Sequence, residues 1–157
     1  MKQQFLKELE IGSKNAIFKK QIIEYYINNG SFTITDLAKE MDLSVPTVTK
    51  LVLEMSEDGF INDLGKLETA GGRPPILYGL NPDSGYFIGV DTKFNSIDIG
   101  VINLKGDMVE MKMGIPYQNS NSVESLNQLC QLIVNFINEL SINKEKIFFL
   151  HIKGLTF

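Results

Sequence analysis

Two short helical segments within residues 33–60, "TITDLAKEMDLSVPTVTKLVLEMSEDGF", constrain the fold more than any other feature of the chain. Ala38 lies on the inner face of the first, and Val48 and Leu51 follow it by ten and thirteen residues. A small residue lets two helices approach closely, and the two larger apolar residues then fix the second helix at a steep angle. The turn carries Asp42, a residue that can adopt left-handed backbone angles at modest cost. This spacing predicts a helix-turn-helix.

Local signals set the bounds of these two helices. Thr35 is the expected N-cap of a helix over 36–41, and Ser44 is the expected N-cap of the next. Pro46 falls in the first turn of that second helix, where its missing N–H costs nothing. We therefore expect the second helix to run to about Glu57 and to stop near Gly59. Its i, i+3, i+4, i+7 apolar positions predict a buried face, made of Val48, Leu51, Val52 and Met55.

The opposite side of the second helix, near its start, carries the candidate binding residues. Thr47, Thr49 and Lys50 point away from the predicted core, and Ser44 stands at the cap. Hydroxyls can bond base edges or phosphates, and a lysine can reach a guanine or a phosphate. These residues predict a site for double-stranded DNA. The alternative is a helical hairpin that only packs against the rest of the protein.

A β-pair over about residues 60–80 follows the second helix and would make the domain a winged helix-turn-helix. The segment "GGRPP" between its strands contains Arg73. The glycines let the backbone approach another surface, and the prolines hold an extended shape. Arg73 would then reach a narrow, electronegative minor groove. The alternative is a stiff linker with a solvated arginine.

Residues 13–30, which precede the two short helices, are also predicted to be helical, because their apolar residues fall along one broad face. Asn29-Gly30 is a good stop signal for this helix. Its lysines, Lys19 among them, fall largely off the apolar face. That face is expected to consist of Ile17, Ile22, Ile23, Tyr26 and Ile27.

Overall charge limits the kind of contact that this chain can make. The 157 residues have a formal net charge of −4, so any contact with phosphate must come from a local patch. A single cysteine, Cys130, cannot form an internal disulfide, which fits a reducing cytoplasm. No apolar run approaches bilayer length, and the start of the chain lacks a signal core. We expect a cytoplasmic protein without a membrane partner.

Residues 86–157 predict strands followed by one helix and a last strand. The helix would begin after a Ser122 cap and continue to about Leu140. Cys130 is expected in its core face and His151 in the last strand, and the pair lacks the spacing of a metal site. Because one helix can cover only one face of such an apolar sheet, we expect self-association through the other. The predicted apolar face of the helix is Leu126, Leu129, Cys130, Ile133, Ile137 and Leu140.

The stretch "GGRPPILYGLNPDSGYFIGVDT", following a winged helix, resembles the ROK family (repressors, open reading frames and kinases), and more narrowly its sugar-responsive repressors. The resemblance covers about residues 13–140. It implies an α+β chain, with a winged helix-turn-helix over 1–82 and, over 83–157, part of an actin-like (ribonuclease H-like) α/β domain. It also implies a homodimeric or higher homo-oligomeric repressor of sugar-utilisation genes, with a sugar effector only in a full-length form.

The chain departs from the family pattern at the turn after "YFIGVDT". Family kinases hold ATP phosphates there on a glycine-rich turn, whereas Lys93, Phe94 and Asn95 occupy it here. We therefore expect no kinase activity and no cofactor. The family domain continues well past residue 157, so the expectation is a natural truncation, a frameshifted reading or a chain cut within the first subdomain. Three hypotheses remain open: a DNA-binding regulator, a sugar- or nucleotide-binding kinase-like protein, and a dimerisation remnant without DNA binding.

Overall fold

The computed structural model describes residues 11–68, 74–120 and 122–154, with only the backbone of Phe149. The chain divides into two compact units, Met1–Asn81 and Pro82–Phe157. Among the described residues, none of the helices is both long and apolar enough to cross a bilayer.

The first unit combines three described helices with a small antiparallel sheet. The elements of the unit are α1 (Lys14–Asn29), β1 (Phe32–Thr33), α2 (Ile34–Glu40), α3 (Val45–Glu57), β2 (Ile61–Lys66) and β3 (Ile76–Leu80). The sheet has the strand order β1-β3-β2, in which the long hairpin β2–β3 forms the wing.

The core of the first unit lies where α3 meets α1, α2 and β2. The predicted inner face of α3 is confirmed, since its four apolar residues are each at most 1% exposed. Ala38 of α2 is buried as well, so the small residue allows the expected close approach. Asp42 has a φ of 52°, the left-handed turn geometry that the sequence predicted. The helix-turn-helix prediction is therefore confirmed.

The start of α2 differs from the prediction by two residues. Thr33, not Thr35, is the N-cap: its Oγ1 accepts from the Asp36 N–H at 3.2 Å and donates to Asp36 Oδ2 at 2.7 Å. Thr33 also pairs with Leu77 of β3 and is therefore held in extended backbone, so the helix can begin at the next residue. The expected cap at Thr35 was wrong because Thr35 lies inside the helix.

The buried face of α1 also differs from the prediction. Ile17 and Ile27 are 43% and 46% exposed, whereas Lys19 is buried at 8%. The stripe that faces the core is Ala16, Lys19, Ile22 and Tyr26. A lysine therefore occupies a core position, and its ammonium group needs a partner there.

The second unit is a four-stranded sheet with one long helix. Its elements are β4 (Tyr86–Thr92), β5 (Ser96–Asn103), β6 (Met108–Pro116), α4 (Val123–Glu139) and β7 (Ile147–Lys153), with short 3-10 turns at Pro82–Ser84 and Lys144–Lys146. The strand order is β6-β5-β4-β7, in which β4 and β7 are parallel and the other pairs antiparallel. His151 lies in β7, as predicted.

The two faces of this sheet are unlike each other. On one face, alternate residues of β4 and β5 pack beneath α4 and form the core of the unit. On the other, the cross-strand pairs are Gly89 with Gly100 and Asp91 with Asp98. Without side chains on those glycines, the face holds a shallow cavity of about 510 Å³. We call it the open face; its apolar lining includes Phe87, Ile102, Met108 and Met111.

The core face of α4 lies further round the helix than predicted. Cys130 is exposed, and Phe136 is buried in its place at 2% exposure. Ser125 causes the difference, because its hydroxyl is buried and bonded to the Tyr117 hydroxyl at 2.8 Å. A helix turns about 100° per residue, so a stripe centred on Ser125 and Leu129 carries Cys130 to the solvent side. The expectation of a core cysteine was wrong.

Candidate DNA-binding site

The start of α3 is held by a pair of hydroxyls. Ser44 is the N-cap, as predicted: its Oγ accepts from the Thr47 N–H at 3.3 Å. The same oxygen lies 2.7 Å from Thr47 Oγ1, and either hydroxyl can donate to the other. Ser44 is exposed and Thr47 is half-buried. The two hydroxyls therefore present a fixed polar pair at the surface of the helix N-terminus.

The Thr49 hydroxyl makes one hydrogen bond within the helix. Its Oγ1 donates to the Val45 carbonyl oxygen at 2.7 Å. The hydroxyl proton is thus occupied, while the oxygen can still accept a hydrogen bond from outside. No acidic residue lies in the first turn of α3, so the positive end of its dipole is not neutralised from within that turn.

Lys50 provides the positive charge of the candidate site. Its side chain is 68% exposed, and its Nζ lies 3.9 Å from Glu54 Oε1, one turn along the same helix. The other oxygen of that carboxylate, Oε2, lies 2.8 Å from the Nζ of the buried Lys19. Sequence reasoning missed both Lys19 and Glu54. The available signal was that Lys19 falls three residues after Ala16 and three before Ile22, on a stripe that is otherwise apolar.

The wing hairpin has a backbone hydrogen bond beyond its regular strand pairing. Ile61 pairs with Leu80 and Lys66 with Ile76, with an irregularity between Asp63 and Lys66. There Gly65 has a φ of 94°, and its N–H donates to Asp63 Oδ1 at 2.8 Å. Beyond the strands, the Leu67 N–H donates to the Pro75 carbonyl at 2.9 Å. Arg73 lies outside the described residues.

The turn between β4 and β5 is closed by its own side chains. The Lys93 N–H donates to the Ser96 carbonyl at 2.8 Å, and Lys93 Nζ donates to Asp98 Oδ2 at 2.5 Å. This hydrogen bond raises the pKa of Lys93 and lowers that of Asp98, which also accepts from the Gly114 N–H. Phe94 at the tip is 75% exposed. The turn is unlike a glycine-rich cradle for phosphate.

A family model places the first unit in a class. Residues 17–62 match the model of winged helix-turn-helix DNA-binding domains. These residues include most of α1, all of α2 and α3 and the start of β2, and the described hairpin supplies the wing. The first unit is a winged helix-turn-helix domain.

Among whole proteins, the chain is similar to xylose repressors. The chain is 29% identical over 128 residues to the xylose repressor of Caldicellulosiruptor bescii (strain ATCC BAA-1888 / DSM 6725 / KCTC 15123 / Z-1320), covering 82% of this chain and 31% of that protein. It is 24% identical to the xylose repressor of Staphylococcus xylosus, covering 74% of this chain and 30% of that protein.

A solved structure shares the fold. It is described as a ROK family transcriptional regulator and homologue of the E. coli MLC protein, and it aligns with a TM-score of 0.59 at 17% identity. The alignment covers 87% of this chain and 34% of that one. Together with the xylose repressors, it confirms the resemblance to ROK-type repressors. The chain spans about a third of the length of these proteins.

Proposed function

We propose that this chain is a sequence-specific DNA-binding regulator that reads the major groove with the start of α3. One observation carries the proposal: the helix-turn-helix that matches DNA-binding domains presents capped hydroxyls and a lysine, with no acid in the first turn. Major-groove readers place the N-terminal residues of the second helix against base edges. The proposed site residues are Ser44, Thr47, Thr49 and Lys50 in the described part of the chain, together with Arg73, which lies outside it.

The chemistry of each side chain suggests its role at the DNA. The Thr49 hydroxyl already donates to the Val45 carbonyl oxygen, so its oxygen would accept a hydrogen bond from an amino group of adenine or cytosine. Lys50 would donate to a guanine edge or to a phosphate. Arg73 would enter the minor groove, because a guanidinium suits that narrow, electronegative site. Lys14 and Lys66 are weaker phosphate contacts.

We further propose that the regulated genes serve sugar utilisation, because the similar proteins are named xylose repressors. Kinase chemistry receives no support from the β4–β5 turn, which lacks glycine and is closed by Lys93 and Asp98. The cytoplasm is the compartment in which such a regulator meets DNA.

A homodimer on a two-fold related operator is the proposed assembly. The open face supports self-association, because methionine side chains of β6 are exposed there beside the Gly89–Gly100 pair. Met111→Lys would place a charge in the shallow cavity and should reduce the mass measured by light scattering. Met113→Lys is the matched control, because Met113 is exposed but does not line the cavity. A wild-type monomer at high concentration would overturn this assembly.

The site assignment is tested with DNA from upstream of the gene in a gel shift. Changing Lys50 and Arg73 together to alanine should weaken binding by about tenfold or more and reduce the salt slope by about two. Lys20→Ala is the matched control, since Lys20 is an exposed lysine of α1 that pairs with Glu24. If the double variant and wild type bind alike, the assigned residues do not contact DNA.

A further inference from the structure

A buried lysine beneath the proposed DNA-reading helix is the starting point. Lys19 is 8% exposed, and it lies beside Met55, Asp58 and Phe60. An ammonium group in such surroundings is rarely retained without a partner. Its ion pair is with Glu54, at 2.8 Å, and this contact ties α1 to α3.

Glu54 divides its two oxygens between two lysines. Oε2 holds Lys19 at 2.8 Å, and Oε1 lies 3.9 Å from Lys50. The Glu54 side chain is 36% exposed, that of Lys19 only 11% and that of Lys50 68%. The short contact is therefore the shielded one, and the long contact is open to water and weak.

Resting on the proposed function, we propose that Lys19 is a positioning residue for Lys50. Lys19 occupies and neutralises the Glu54 carboxylate, so Glu54 holds Lys50 only loosely and leaves its charge available to DNA. Without Lys19, the full negative charge of Glu54 would attract the Lys50 ammonium toward the C-terminal end of α3, away from the DNA-reading end. The same charge would also repel phosphate. A residue on α1 thus sets how strongly a residue on α3 can bind.

The variant Lys19→Met isolates this effect. Methionine keeps an unbranched apolar stem beside Met55 and Phe60 and removes the ammonium. Removing one partner of an ion pair is strongly destabilising when the other charge stays buried, whereas replacing both partners is often neutral. Glu54 is left partly exposed rather than buried, so its unpaired charge remains solvated. The charge-neutral companion is Lys19→Met with Glu54→Gln, which removes both members of the pair.

DNA affinity is then measured for the Lys19 change in two backgrounds, with Lys50 and with Lys50→Ala. With Lys50 present, Lys19→Met should weaken binding about threefold to fivefold and lower the salt slope by up to about one. With alanine at position 50, the loss should be less than about twofold, which measures the remote effect of the charge alone. Adding Glu54→Gln should restore affinity to within about twofold of wild type. Equal losses in both backgrounds would overturn the proposal.

A second measurement does not need DNA. The coupling between Lys50 and Glu54 in the folding equilibrium, obtained by a double-mutant cycle at low salt, should rise from under about twofold to about threefold after Lys19→Met. An unchanged coupling would contradict the sharing of Glu54. If wild type binds no DNA, the proposed function fails, while this cycle still decides whether Lys19 controls Lys50.

Discussion

The two units each begin a long helix with a serine cap, and they use it differently. In the first, Ser44 accepts from the Thr47 N–H, and the hydroxyls stand at the surface. In the second, Ser122 accepts from the Ser125 N–H, but the Ser125 hydroxyl is turned inward and bonded to the Tyr117 hydroxyl. The same local chemistry therefore supports recognition in one unit and core packing in the other. The surroundings of a cap, rather than its sequence, decide which role it has.

The largest expected effect tests whether each unit depends on its own core. Leu51 is 1% exposed in the first unit, and Leu129 is 0% exposed in the second. Leu51→Ala or Leu129→Ala should each lower the free energy of unfolding by about 3 kcal/mol, because each leaves a cavity. Leu53→Ala is the control, since Leu53 is 48% exposed on the same helix as Leu51 and should cost about 0.5 kcal/mol or less. Chemical denaturation of the whole chain measures all three.

Losing Leu51 should weaken DNA binding by destabilising the reading helix, whereas losing Leu129 should leave the local structure of the first unit intact. Amide hydrogen exchange on α3 distinguishes the two. Loss of protection on α3 in both variants would contradict independent cores.

The next effect separates the two capped ends directly. Ser125→Ala removes a buried hydroxyl that bonds Tyr117 and the Ser120 N–H, so it should cost about 2 kcal/mol. Thr47→Val removes the exposed hydroxyl beside Ser44 and should cost about 0.5 kcal/mol or less while weakening DNA binding. Thermal melting and a gel shift on both variants give the crossed result. If Ser125→Ala weakened DNA binding and Thr47→Val did not, the division of roles would be wrong.

Two buried tyrosines give a smaller effect of opposite sign. Among the fully buried side-chain polar atoms of the described residues, the Tyr26 hydroxyl oxygen lacks a hydrogen-bond partner, and burial raises the pKa of Tyr26. Tyr26→Phe should stabilise the first unit by about 1 kcal/mol, since it removes an unsatisfied buried group. Tyr86→Phe should destabilise the second by about 1 kcal/mol, since the Tyr86 hydroxyl donates to Asp83 at 2.9 Å. Equal signs in denaturation curves would contradict this contrast.

The smallest effect is a pH dependence confined to the second unit. The hydrogen bond from Lys93, with the one from the Gly114 N–H, holds the pKa of Asp98 below its ordinary value. The carboxylate therefore adds stability above about pH 4, and this contribution is lost as the pH falls through the lowered value. Asp98→Asn should lower Tm by about 3 °C at pH 7 and by less near pH 3. Asp91→Asn makes the same change at the cross-strand neighbour and should have a smaller effect on Tm. If Asp98→Asn lowered Tm equally at pH 7 and pH 3, the proposed linkage would be excluded.

Local chemistry was sufficient to predict the N-cap of α3, the position of Pro46 in its first turn and the left-handed backbone of Asp42. These features depend on residues that are close together in the sequence. The predictions that failed depended on distant partners. The spacing of Lys19 from Ala16 and Ile22 hinted at a core position, but the partner that makes this position tolerable, Glu54, lies on another helix. The core face of α4 contains Phe136 instead of Cys130, because the Ser125 hydroxyl faces the core and is hydrogen-bonded there to the Tyr117 hydroxyl. The assigned DNA contacts remain predictions, since they depend on a partner outside the chain.

The central claim is that the start of α3 reads a specific DNA sequence. Its most direct test is competition binding of the whole chain, at fixed salt, to DNA from upstream of the gene and to unrelated DNA of equal length. The account predicts a preference of about a thousandfold or more for the upstream DNA, strongly reduced by Thr47→Val with Lys50→Ala. Equal affinity of wild type for both DNAs would contradict it.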